Sequence, residues 1–139
     1  MENNKMKIEF LSLPENEAFA RIAVASFVAT LDPTIEEISD IKTAVSEAVT
    51  NSIVHGYEGG IGTVIIEAKI TNNIVEIEVI DNGQGIEDIK KAMEPLYTTK
   101  PEEERSGMGF TIIENFMDEM KVTSKVKEGT TVYMKKIIN

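Results

Sequence analysis

The chain has no cysteine, no tryptophan and a single histidine among its 139 residues. Without cysteine, disulfides, zinc–thiolate sites and thiol catalysis are excluded, which suits a reducing compartment. The opening residues, Met1-Glu-Asn-Asn-Lys5, lack the basic-then-apolar pattern of a secretory signal. Long apolar runs are missing as well. The longest near-apolar stretch, Ile22 to Leu31, is about half of what a bilayer span needs. Basic residues are few, 14 against 24 acidic ones, giving a net charge of −10. Broad binding to a nucleic-acid backbone is therefore disfavoured, whereas a basic protein partner is compatible with the charge. The expectation is a cytoplasmic chain with no direct contact to nucleic acid or membrane.

What is present fits one domain of ordinary composition. The hydrophobic share is 42%, and a chain of this length buries roughly 68% of its unfolded surface. Met6, Ile8 and Phe10 alternate with other residues as in a half-buried strand. Pro14 suits a first helical turn, and a stripe of Phe19, Ile22, Ala23, Ser26 and Phe27 carries that helix to Leu31, where Asp32-Pro33 breaks it. Thr34 and Glu37 form a capping box for a second helix reaching Gly56, with Ile38, Ile41, Val45, Ala48, Val49, Ser52 and Ile53 as its apolar stripe.

A hairpin follows: Val64, Ile66, Ala68 and Ile70 on one strand, Asn72-Asn73 as the turn, Val75, Ile77 and Val79 on the return. A short helix is expected over Asp88–Met93, a loop over residues 96–106, and a helix over Gly109–Met120 with Phe110, Ile113 and Met117 inward. Lys121–Lys127 and Thr130–Ile137 close the chain as a hairpin turning at Glu128-Gly129. This order predicts an α+β two-layer sandwich, with helices packed on one face of a mostly antiparallel sheet. The N-terminal strand and helix occupy residues 1–33, and residues 34–139 form the core.

Three short stretches carry chemistry. Glu47, Asn51 and His55 are spaced i, i+4, i+8, on one ridge at the border of the apolar stripe. A carboxylate there can accept a proton, and an amide one turn on can offer oxygen to Mg²⁺; a solvated helix flank is the plainer alternative. His55 fits a helix-end packing or capping role better than catalysis. In Asp81-Asn-Gly-Gln-Gly85, Asp81 continues the buried face of Val75, Ile77 and Val79. A buried carboxylate needs a donor, and the exocyclic amine of adenine is one. Gly83 and Gly85 let backbone approach a flat ring. A simple hairpin turn competes with this reading, but the residues after Gly85 look helical. Finally, Ser106-Gly107-Met108-Gly109 opens a helix, whose free amides and dipole suit phosphate; Lys100 and Arg105 could add charge. A glycine-containing helix start is the alternative. No Walker or Rossmann signature is present.

Together with Leu96-Tyr-Thr-Thr-Lys100 and Gly129-Thr130, these stretches resemble the N, G1, F, G2 and terminal glycine boxes of the GHKL superfamily of Bergerat-fold ATPases. Gyrase, heat-shock protein 90, mismatch-repair ATPases and sensor histidine kinases belong to that superfamily. Over the whole chain, Glu15-Asn-Glu-Ala-Phe-Ala-Arg21, Ser46-Glu-Ala-Val-Thr-Asn51, His55-Gly-Tyr57, Thr98-Thr-Lys-Pro-Glu102 and Glu104-Arg-Ser-Gly-Met-Gly-Phe-Thr-Ile-Ile-Glu-Asn-Phe-Met-Asp118 are similar to the anti-sigma F family of endospore-forming bacteria.

The resemblance implies an ATP-dependent protein serine kinase that is also an anti-sigma factor. It would bind a sporulation sigma factor as a homodimer and phosphorylate a serine of an anti-anti-sigma protein, turning ATP into ADP. By position, Glu47 would be the general base, Asn51 the Mg²⁺ ligand and Asp81 the adenine contact. Gly83, Gly85, Thr99, Lys100, Arg105, Ser106, Gly107, Met108, Gly109 and Thr130 would complete the ATP site, with residues 96–106 as its lid. General-stress anti-sigma kinases share the boxes but match the flanks less closely. A module that binds ATP without using it would need no base at Glu47. A histidine kinase would need a phosphoacceptor helix, for which no second domain is expected here. Arg21, the only basic residue between Lys7 and Lys42, is a candidate partner contact, with a snorkelling surface arginine as the alternative.

Overall fold

The computed structural model describes residues 3–57, 60–86 and 109–139. Strand β1 (Asn3–Leu11) leads into helix α1 (Asn16–Val28), a single 3₁₀ turn (Ala29–Leu31) and helix α2 (Ile35–Asn51). A π turn over Ser52–Gly56 ends that helix. Strands β2 (Thr63–Thr71) and β3 (Ile74–Asp81) come next, then helix α3 (Gly109–Phe116) and strands β4 (Glu119–Lys125) and β5 (Gly129–Ile137). The five strands run in the order β1-β2-β3-β5-β4, every neighbouring pair antiparallel. The expected two-layer arrangement is the observed one, and the expected Asp88–Met93 helix and 96–106 lid lie outside the described residues.

Strand alternation builds the core. Val64, Ile66, Ala68 and Ile70 of β2 and Val75, Ile77 and Val79 of β3 are all buried, as are Val132 and Met134 of β5. Ile41, Ala44, Val45, Ala48 and Val49 of α2 and Ile113 of α3 close over them. Full burial of one such side chain contributes about 1.5–3 kcal/mol. At the hairpin, Asn72 takes a left-handed φ of 56°, a conformation that asparagine tolerates better than most residues. Asp32 does the same at 51° before Pro33 and ends the α1 segment. Thr34 and Glu37 form the expected capping box: the Glu37 amide donates to Thr34 Oγ1 at 3.0 Å, and the Thr34 amide to Glu37 Oε1 at 2.9 Å.

Three expectations need correction. On α1 the buried stripe is Ala20, Val24 and Val28, whereas Phe19 and Ile22 are 53% and 55% exposed. That helix is apolar almost all round, so periodicity could not choose its inner face. The second helix does not stay α-helical to Gly56, because its last five residues adopt the wider π form. Helix α3 stops at Phe116, because Glu119 already pairs with Lys135 in the sheet. Met120 therefore belongs to a strand, where tertiary pairing outweighs helical spacing.

Candidate nucleotide site

The alternation of β3 carries Asp81 onto the core face, between Val64 of β2 and Thr130 of β5. Its residue exposure is 4%. Burial is the main influence on the carboxyl group and raises its pKa. Opposing it, the Gly83 amide donates to Oδ1 at 2.9 Å, joined by the Ser52 hydroxyl and a Thr130 backbone bond. These donors are all neutral. A carboxylate has about four lone-pair sites, so room remains for an amino group.

The two glycines behind Asp81 serve the protein's own backbone. A β-carbon on Gly83 would lie 1.9 Å from the Gly56 carbonyl oxygen, and one on Gly85 would lie 2.3 Å from that of Lys125. Gly85 also has a φ of 77°, a region that glycine enters without steric cost. The loop is thereby pressed between the π turn and the β4–β5 hairpin. Gln84 fastens it on both sides: its amide donates to Gly56 O at 2.8 Å, its side chain to His55 O at 2.6 Å, and its carbonyl accepts from Lys127 N at 2.7 Å.

Glu47 and Asn51 remain one turn apart on α2, both half-buried. Ser52, the next residue, is the one bonded to Asp81, so the helix end abuts the carboxylate. The ridge stops there. A π turn bonds i to i+5, so His55 leaves the line of Glu47 and Asn51, and its carbonyl is what holds the loop. Across β5, Thr130 Oγ1 lies 2.8 Å from Ser124 Oγ, and the Ser124 hydroxyl accepts from the Ile86 amide at 2.7 Å. Gly109 opens α3, which packs along α2. The structure thus brings Asn51, Asp81, Gly83, Gly85 and Thr130 to one end of the sheet and of α2, with Glu47 a turn away. Thr99, Lys100, Arg105, Ser106, Gly107 and Met108 lie outside the described residues.

Three contributors escape sequence reading. Ser52 reads as part of an apolar stripe, and its polarity there is the available signal. Tyr57 bridges the site, its hydroxyl accepting from Asn82 N at 2.6 Å and donating to Thr63 O at 2.7 Å. Ser124 carries no local signature at all. The donor set fits Mg²⁺-ATP: a buried acceptor for an amine, an amide oxygen for a hard cation and a carboxylate beside it. Among the described residues no cluster of three or more His, Asp or Glu could hold a metal alone, so the protein's share of a Mg²⁺ shell would be small, as is usual beside substrate phosphates.

The family described as histidine kinase-like ATPase domain matches residues 10–136. An anti-sigma F factor of Clostridium botulinum (strain Eklund 17B / Type B) is 62% identical over 140 residues, covering 100% of this chain and 98% of the relative. One from Thermoanaerobacter sp. (strain X514) is 62% identical over 135 residues, 97% and 94% of the two chains. Among solved structures, the RsbU and RsbW domains of Rv1364c from Mycobacterium tuberculosis superpose with a TM-score of 0.72 at 20% identity, over 97% of this chain and 32% of that one. The histidine kinase domain of the blue-light activated histidine kinase of Erythrobacter litoralis gives 0.60 at 19%, over 88% and 60%. With its GHKL-type fold and its full-length kinship, the chain belongs to the histidine kinase-like ATPase family and, within it, to the anti-sigma F factors.

Proposed function

We propose that this protein is an ATP-dependent anti-sigma factor that binds and inhibits a sporulation sigma factor and phosphorylates a serine of its anti-anti-sigma antagonist. The observation that carries the nucleotide half is the buried Asp81 carboxylate, held among the described residues by neutral donors beside the end of the helix that bears Glu47 and Asn51. The full-length likeness to proteins named anti-sigma F factor supports the regulatory half.

Bound Mg²⁺-ATP would supply the phosphoryl group. Asp81 orients the base end by accepting from the adenine amine. Asn51 offers its amide oxygen to the metal. Glu47 takes the proton leaving the serine hydroxyl, a role worth about 10²–10⁴-fold for a positioned base. The backbone amides opening α3 at Gly109 face phosphate charge, with residues 96–106 as the lid. The products are ADP and a phosphoserine protein.

The partner surface is proposed on α1. Arg21 is half-buried and paired with Glu17 at 2.9 Å, beside the exposed Phe19 and Ile22. Aromatic and arginine side chains are enriched at interface hot spots. The active species is proposed to be a homodimer. Incubation with labelled Mg²⁺-ATP, the anti-anti-sigma protein and the sigma factor tests the whole reading. Label is expected on a serine of the antagonist, and sigma binding is expected to need ATP and to fall more than about tenfold, or 1.4 kcal/mol, in Arg21→Glu. Label that stays on the protein's own His55, or none with sigma binding intact, would replace this reading with autophosphorylation or with a pure binding module.

A further inference from the structure

The core face of the sheet bears a second charged group, at the end remote from Asp81. Lys136 faces inward with Val132 and Met134 and lies opposite Val75 in the register. Its side chain is 13% exposed. An ammonium so enclosed must be paired, and it is: Nζ donates to the Phe116 carbonyl at 2.7 Å and to Asp40 Oδ2 at 3.2 Å. Phe116 is the last residue of α3, and Asp40 lies in α2. One cation therefore joins β5 to both helices.

The C-terminal end of α3 has two further ties, each to β5 alone. Asp118 N donates to Lys135 O at 2.8 Å, and Ile137 N donates to Asp118 Oδ2 at 2.7 Å. Of these polar ties at the C-terminal end, the one through Lys136 reaches α2 as well. A cation at this end also complements the helix dipole. The helix has eight residues, a rod of about 12 Å. The rod already packs along α2, and anchoring its C-terminal end limits how far the other end, at Gly109, can shift along that contact.

We propose that Lys136 is a positioning residue for the phosphate end of the nucleotide site, holding α3 against α2 so that its N-terminal amides meet the phosphates. The inference rests on the nucleotide reading above and adds a residue that lies outside the nucleotide boxes. Lys136 touches no substrate, so its effect should fall on the phosphates and spare the base.

The test compares ATP with adenosine, each titrated calorimetrically with Mg²⁺ into the full chain. Lys136→Met is expected to weaken ATP roughly tenfold, near the lower bound for a charge-assisted hydrogen bond, while adenosine changes by less than about twofold. Lys136→Arg, which keeps the cation, should restore the wild-type ratio of the two affinities. A general loss of structure would lower both ligands together. If Lys136→Met does not fold, Asp40→Ala removes the Lys136 link to α2 and leaves that to Phe116, and it should shift the same ratio in the same direction. An unchanged ratio in the folded variant overturns the proposal. Wild-type protein that binds neither ligand removes the nucleotide reading itself, and this inference with it.

Discussion

Two carboxylates are buried among the described residues, Asp81 at one end of the sheet and Glu37 beside the other, with exposures of 4% and 9%. Their surroundings push them in opposite directions. Glu37 accepts the Asn139 amide at 2.9 Å and the Thr34 amide at 2.9 Å, with the Lys136 ammonium nearby, and its pKa is lowered, chiefly by the Asn139 bond. Among the described residues Asp81 has neutral donors only, burial prevails, and its pKa is raised. Glu37 is a fully used structural group that caps α2 and pins the C-terminal residue. Asp81 is buried at a cost to its charged form, as is common at sites selected for binding. The contrast supports the proposal that Asp81, rather than Glu37, takes a ligand.

The largest expected effect lies beside Asp81. Glu47→Ala should reduce phosphoryl transfer by about 10²–10⁴-fold with ATP affinity and melting temperature held, whereas Asn51→Ala should impair Mg²⁺-dependent ATP binding itself. Near wild-type phosphorylation by Glu47→Ala would remove it as the base.

The next effect bears on the contrast itself. Asp81→Ala should weaken ATP by roughly 1.5–3 kcal/mol, the usual contribution of a hydrogen bond to a charged group, and wild-type protein should reject GTP, which offers a carbonyl where ATP offers an amine. The isosteric Asp81→Asn should at the same time melt higher than wild type at neutral pH. The sign follows from the raised pKa: a carboxyl that binds protons more tightly when folded favours the fold at low pH and loses that contribution as pH rises through its folded pKa. The advantage of Asp81→Asn should therefore shrink as pH is lowered. Equal ATP and GTP affinities, or an Asp81→Asn that melts lower at neutral pH, would break the comparison at this end.

The smallest effect belongs to the opposite end. Thr34→Ala should cost about 1 kcal/mol of stability and leave ATP affinity unchanged. For Glu37 the pH dependence is reversed. Its lowered pKa makes its contribution complete above the ordinary carboxylate range, with loss as pH falls through the folded value. In Glu37→Gln the part of the acid destabilisation due to this group should disappear. Thermal melts from neutral to acid pH check both statements, and an acid profile for Glu37→Gln identical to wild type would end the assignment of Glu37 as a stabilising anion.

Several features were legible without coordinates because they are local. The Thr34–Glu37 box spans one helical turn, the Asn72-Asn73 turn needs only its own backbone preferences, and the alternation of β3 alone aims Asp81 inward. The α2 stripe of Ile41, Val45, Ala48 and Val49 and the burial of Phe110 and Ile113 on α3, with Met117 just after it, likewise follow from spacing. The inner face of α1 was not legible, because Phe19 and Ile22 are as apolar as the Ala20, Val24 and Val28 that are buried. Nor was the π turn, whose carbonyls are held by Gln84 from another element.

The sequence by itself proposed which residues could bind a nucleotide and determined which face of each strand and of helices α2 and α3 would be buried, since burial patterns depend on neighbours within a few positions. Tertiary structure decided how they meet. Placing β5 beside β3 sets Thr130 opposite Asp81, and the turn after α2 sets Ser52 on the same carboxylate. At the other end, Glu37 finds Asn139 across 102 residues and Lys136 finds Asp40 across 96. Contacts at such separations carry no local signature, because they form only when burial of the whole apolar face brings distant segments together.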